Sequence, residues 1–176
     1  MRYLIPILLL GFVLVFLWKG LAKDPLQISS PLISKSVPSF AALSLENPRK
    51  NLTEKIFFGH LSLLVVWSSW CTSCIAEQNF LLSLKKNTAL NIVGLNYRDN
   101  LSAAKLWLKQ YGNPYTNVIF DEKGLLAIDL GVYGVPEIFL IDGKGIIRYK
   151  HIGPLSEAVW NREVKRLINQ YGKTYV

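Results

Sequence analysis

Two cysteines, Cys71 and Cys74, are the only ones in 176 residues, and two residues separate them. They stand between LSLLVVW at 61–67 and a helical stretch at 75–86. An apolar run of that length suits a central strand covered on both faces. Three chemistries compete for such a pair. A structural disulfide closing so short a loop removes little entropy from the unfolded chain. Zinc needs four ligands, and the only histidines, His60 and His151, lie far apart with no second paired motif. A redox dithiol, C-x-x-C at a strand-to-helix junction, is the chemistry that uses this spacing.

The helix start supplies the reason. Unpaired N–H groups and the macrodipole favour a thiolate at Cys71, and Cys74 follows one turn later. Cys71 is therefore expected to be the attacking, exposed sulfur and Cys74 the resolving, buried one. Thr72 and Ser73 between them add no charge. Glu77 lies three residues beyond Cys74 on the same helical face. It reads either as an ordinary first-turn acid or as a proton acceptor for Cys74. A carboxylate nearby opposes thiolate formation and so favours a reductant. Trp67 reads as core, and Trp70 as a shield over the dithiol.

Around this motif the chain alternates strand and helix signals. FAALSL at 40–45 is a first strand, 47–51 a turn, and Thr53 caps a short helix to Phe58. NIVGLNY at 91–97 is a strand and 101–111 an amphipathic helix. A short strand at 117–120 and a short helix at 124–130 follow. EIFLI at 137–141 and IIRY at 146–149 flank a hairpin signal. A last helix carries Trp160, Val164, Leu167, Ile168 and Tyr171. The pattern predicts an α/β sandwich with a mixed sheet after a small N-terminal β unit.

Composition bounds the rest. At 51% hydrophobic the chain can bury a core, and at 18% charged it is not a disordered protein. A net charge of +8 suggests nucleic acid first, but the basic residues are scattered and no nucleic-acid motif accompanies them. A basic surface near an anionic membrane fits better. Residues 3–18 are uncharged and mostly apolar between Arg2 and Lys19, roughly 24 Å of helix. They are expected to form a retained membrane anchor over 1–22, with a cleaved signal peptide as the competing reading. Residues 23–36 read as a linker and 37–176 as the folded domain.

VVWSSWCTSCIAEQ, IVGLNYRDN, WLKQYGNPY, DLGVYGVPEIFLIDGKGIIRY and HIGPL occur in this order. Together with the apolar N-terminus they resemble the CcmG/DsbE family, membrane-anchored thiol:disulfide oxidoreductases of cytochrome c maturation. The resemblance runs from about Val37 to Tyr171. It implies a thioredoxin-like fold and a single-pass protein of the bacterial inner membrane with its soluble domain in the periplasm. No cofactor or metal beyond the dithiol is implied. The expected partners are apocytochrome c, or a maturation protein carrying its disulfide, and a DsbD-type membrane electron donor. The family's cysteine pair falls on Cys71 and Cys74, its tryptophan on Trp70, its helix acid on Glu77, its cis-proline on Pro136 and the adjoining acid on Glu137. Such a proline would expose the Val135 backbone to an extended substrate. The chain departs from the family at Thr72, where proline is usual, at Ile75, where a basic residue is usual, and at His60-Leu61, where Lys-Pro is common.

The leading expectation is thus a reductant that keeps haem-site cysteines free. A general oxidant or isomerase is the redox alternative, although an oxidant would want a cation near Cys71, where the expected neighbours, Glu77 and Glu137, are acids. A tethered module that merely binds apocytochrome is the non-enzymatic one.

Overall fold

Ser62–Trp67 (β3) has all six residues buried, which requires cover on both faces of the sheet. In the computed structural model, which describes residues 4–21, 32–88 and 90–172, that cover is present. The strands are Ala41–Ser44 (β1), Asn51–Thr53 (β2), β3, Asn91–Tyr97 (β4), Asn117–Asp121 (β5), Glu137–Ile141 (β6) and Ile147–Ile152 (β7). They form one sheet in the order β2-β1-β5-β4-β3-β6-β7. β3 pairs in parallel with β4, and β4 with β5, while the outer pairs are antiparallel.

Strand alternation splits the core in two. Leu63, Val65 and Trp67 face one side, with both cysteines. The helices Thr72–Asn87 (α2) and Leu101–Tyr111 (α3) cover that side through Leu81, Leu84, Ala104, Trp107 and Leu108. Leu64 and Val66 face the other side, with Phe57 and the helix Leu125–Asp129 (α4). Two parallel crossovers, β3-α2-β4 and β4-α3-β5, thus place the C-terminal end of β3 and the start of α2 together at one edge of the core.

The mixed α/β sandwich stands as expected, with differences of detail. The turn expected over 47–51 ends in β2, a three-residue strand hairpin-paired with β1 and too short for periodicity to reveal. β7 continues to Ile152, paired with Glu137. The last helix is not uniform: Glu157–Val159 (α5) passes through a π segment, Trp160–Val164, into Lys165–Tyr171 (α6). The wider turn keeps both Trp160 and Val164 buried.

Leu4–Leu21 (α1) is an 18-residue helix whose large apolar side chains from Ile5 to Trp18 are exposed. Among the described residues, no helix is long and apolar enough to cross a membrane. Residues 1–3 and 22–31 of the expected anchor and linker lie outside the described residues. From Ser34 to Val37 the chain runs beside the β6–β7 hairpin: Ser34 N donates to Ile147 O at 2.8 Å and Val37 N to Gly145 O at 2.9 Å.

Candidate active site

α2 begins at Thr72, three residues earlier than periodicity suggests, because Cys71 caps it. Cys71 has extended backbone (φ −88°, ψ 103°), and its Sγ accepts the Cys74 N–H at 3.1 Å. The two sulfurs are bonded to each other, with Cα atoms 5.4 Å apart. Ser73 Oγ lies 3.5 Å from Cys71 Sγ; a disulfide sulfur carries no hydrogen, so the hydroxyl donates. Thr72 and Ser73 are exposed.

Accessibility departs from expectation. Cys71 is 5% exposed and Cys74 1%, so only the ranking remains in the oxidised state. The cap explains this, since it turns the Cys71 sulfur inward over the helix end. Trp70 is 58% exposed, while its Nε1 donates to Arg98 O at 3.0 Å. Trp67 is wholly buried against Trp107 and Tyr115, with ring centroids 4.7 and 5.8 Å away.

Glu77 is 1% exposed. Leu155 N donates to its Oε2 at 2.8 Å, and Oε1 has no hydrogen-bond partner. Burial pushes its pKa from 4.5 up to about 8, against the opposing effect of the Leu155 N–H. A carboxyl poised there exchanges protons near neutral pH. Burial, and then the Glu77 carboxylate, also raise the phenol of Tyr115 above its ordinary value.

The Val135–Pro136 bond is cis. Val66 pairs with Glu137 across β3 and β6, so Pro136 and Val135 come level with Trp67 and Ser68, at the entrance to Cys71. Val135 packs against the cluster that holds both cysteines. Gly153 N donates to Pro136 O at 2.9 Å.

Glu137 does not join Glu77 beside the dithiol. Ile138 shares the cysteines' face, and strand alternation turns Glu137 to the opposite one, with Phe139. There its Oε1 accepts from Tyr133 N at 2.7 Å and Gly134 N at 3.2 Å. Its Oε2 forms an ion pair at 3.0 Å with the buried Lys150 Nζ, which also donates to Gly131 O at 2.6 Å. The acid therefore holds the loop before the cis-proline, and its charge is offset.

Sequence reasoning missed three contributors: Leu155, which holds Glu77 from 78 residues away; Lys150; and the bend at 97–99, described below. The local signal for the last was Asn100, whose Oδ1 caps α3 by accepting from Ser102 N at 2.9 Å and Ala103 N at 3.2 Å. Among the described residues no group of three or more His, Cys, Asp or Glu could hold a metal.

A reversible dithiol at a helix N-terminus, a buried acid one turn behind it and a cis-proline level with its entrance suit thiol–disulfide exchange. A redoxin family model matches residues 33–168. The thiol:disulfide interchange protein DsbE of Tatumella citrea is 48% identical over 151 residues, covering 85% of this chain and 81% of that protein. DsbE of Escherichia coli K12 is 44% identical over 177 residues, covering 97% and 95%. A candidate DsbE of Chlorobium tepidum, of known structure, superimposes with a TM-score of 0.65 at 24% identity, covering 79% of this chain and 96% of that one. The thioredoxin domain of a Bacteroides vulgatus thiol-disulfide oxidoreductase gives 0.66 at 20%, covering 80% and 100%. With its C-x-x-C pair, its thioredoxin-like sheet and these relatives, the chain belongs to the redoxin family and, within it, to the DsbE thiol:disulfide interchange proteins, as a thiol-disulfide oxidoreductase.

Proposed function

We propose that the protein is a reductant in cytochrome c maturation, attached to the bacterial inner membrane with its redox domain in the periplasm. The buried acid Glu77 carries this reading. As it ionises, a carboxylate behind Cys74 opposes a second negative charge there; it disfavours the thiolate and with it the reduced state, which lowers the potential.

The exchange balances as two electrons and two protons. The Cys71 thiolate attacks a substrate disulfide, forming a mixed disulfide and releasing one substrate thiolate. Cys74 then gives its proton to the Glu77 carboxylate and attacks Cys71 Sγ. The second substrate thiolate leaves and the Cys71–Cys74 disulfide forms; Glu77 gives its proton up to solvent, and the two substrate thiolates take up two protons, equal to this one and the one Cys71 lost on ionising. Val135, at the entrance, offers backbone to an extended substrate. The substrate is the paired haem-site cysteines of apocytochrome c or the disulfide of a maturation protein. A DsbD-type membrane donor restores the dithiol.

Membrane attachment rests on α1. Its 18 residues reach about 27 Å, a little short of a ~30 Å hydrocarbon core, and its apolar side chains are exposed. On this reading 1–22 is the anchor, 23–36 the tether and 37–176 the catalytic domain.

Equilibration of the pair against glutathione tests the direction. A potential well below about −200 mV is expected, and one near −120 mV refutes the reductant in favour of an oxidant. Cys74→Ser is expected to accumulate a Cys71-linked adduct in cells making c-type cytochromes, and the absence of any adduct counts against the role. Cells carrying Cys71→Ser are expected to lose haem attachment; its persistence would favour the pure binding module.

A further inference from the structure

Ser68, Ser69 and Trp70, the three residues leading into Cys71, belong to no helix or strand. Each is fastened to the same bend between β4 and α3. Ser68 Oγ donates to Tyr97 O. Ser69 N and Oγ donate to Asp99 Oδ2 and Oδ1, both at 2.6 Å. Trp70 Nε1 donates to Arg98 O at 3.0 Å.

The bend is itself unusual. Arg98 has φ +44°, a conformation that residues with a Cβ rarely adopt and that collects where function over-determines the backbone. Asp99 is 9% exposed. Besides Ser69, Asn96 Nδ2 donates to it at 2.9 Å and Asn100 N at 2.8 Å. Four donors hold this carboxylate still, and two of them come from the residue two places before the reactive sulfur. The apolar core alone needs no such group, because burying a carboxylate is costly unless it is fully bonded.

We propose that Asp99 is the positioning residue of the redox loop: through Ser69 it fixes the direction from which Cys71 meets an incoming disulfide. The proposal rests on the dithiol reading and assigns Asp99 no contact with either sulfur. Exchange needs the attacking sulfur aligned with the disulfide, and misplacement by about 1 Å can cost on the order of a hundredfold in rate.

The test uses the reduced full-length protein and oxidised glutathione. Second-order rate constants from pH 5 to 10 separate the plateau, where Cys71 is all thiolate, from its pKa. Asp99→Ala is expected to lower the plateau by about tenfold or more. Asp99→Asn keeps an acceptor for Ser69 N and is expected to recover most of it. Ser69→Ala loses one bond and should lower the plateau about threefold. Combined with Asp99→Ala, it should add nothing further. Thr88→Ala removes the 2.8 Å hydrogen bond from Thr88 Oγ1 to Leu84 O at the far end of α2 and lowers stability without touching the loop, so its plateau should equal the wild type's.

A wild-type plateau in Asp99→Ala overturns the proposal, as does an equal fall in Thr88→Ala. Should Asp99→Ala fail to fold, a wild-type plateau in Ser69→Ala overturns it instead. A wild-type protein that does not exchange at all sinks the dithiol reading itself, a separate result.

Discussion

Replacing Glu77 by glutamine removes a titration that should dominate the pH dependence of stability of the oxidised protein. In the folded chain the carboxyl holds its proton to about pH 8; unfolded, it releases it near 4.5. Below pH 4.5 both states are protonated and the group contributes nothing. Between those values the folded state binds the extra proton, so stability falls as pH rises, by about 1.4 kcal/mol per pH unit. Above pH 8 the loss is complete, at roughly 5 kcal/mol. Glutamine does not titrate, and any cost of burying its amide is a constant offset. Urea unfolding of oxidised wild type and Glu77→Gln should therefore give stability curves that diverge. The variant should gain about 3 to 4 kcal/mol on the wild type between pH 5 and pH 8. Curves that stay parallel over this range would refute the reasoning, because they would mean that Glu77 is solvated or already ionised.

Lys150→Met leaves Glu137 buried without its cation and should cost about 3 to 5 kcal/mol, read as a lower Tm; adding Glu137→Gln should restore a large part of the loss. Gly124→Ala puts a Cβ at a residue with φ +72°, 2.7 Å from Tyr97 Cε2 and 2.8 Å from Arg98 Nε, directly behind the bend. It should cost about 2 kcal/mol or more by denaturant unfolding, and a neutral result would show that the bend tolerates movement.

Local chemistry made much of this protein legible. The spacing of Cys71 and Cys74, the apolar run before them and the amphipathic stretch at 101–111 were enough for a dithiol in a mixed α/β sheet, since periodicity and helix-end electrostatics act over a few residues. Local reasoning failed where the deciding contact lies far along the chain. Glu77 could be read as a first-turn acid or as a proton acceptor; burial and Leu155, 78 residues on, set its pKa. Glu137 looked like a second acid by the dithiol until strand register turned it to the other face, against Lys150. Asp99 lies inside IVGLNYRDN with no chemical signal of its own and matters only because parallel pairing of β3 and β4 brings their ends together. The sequence by itself determined which groups can react. Tertiary structure decided which of them are desolvated, paired or aimed, because burial and hydrogen bonding are properties of neighbours in space.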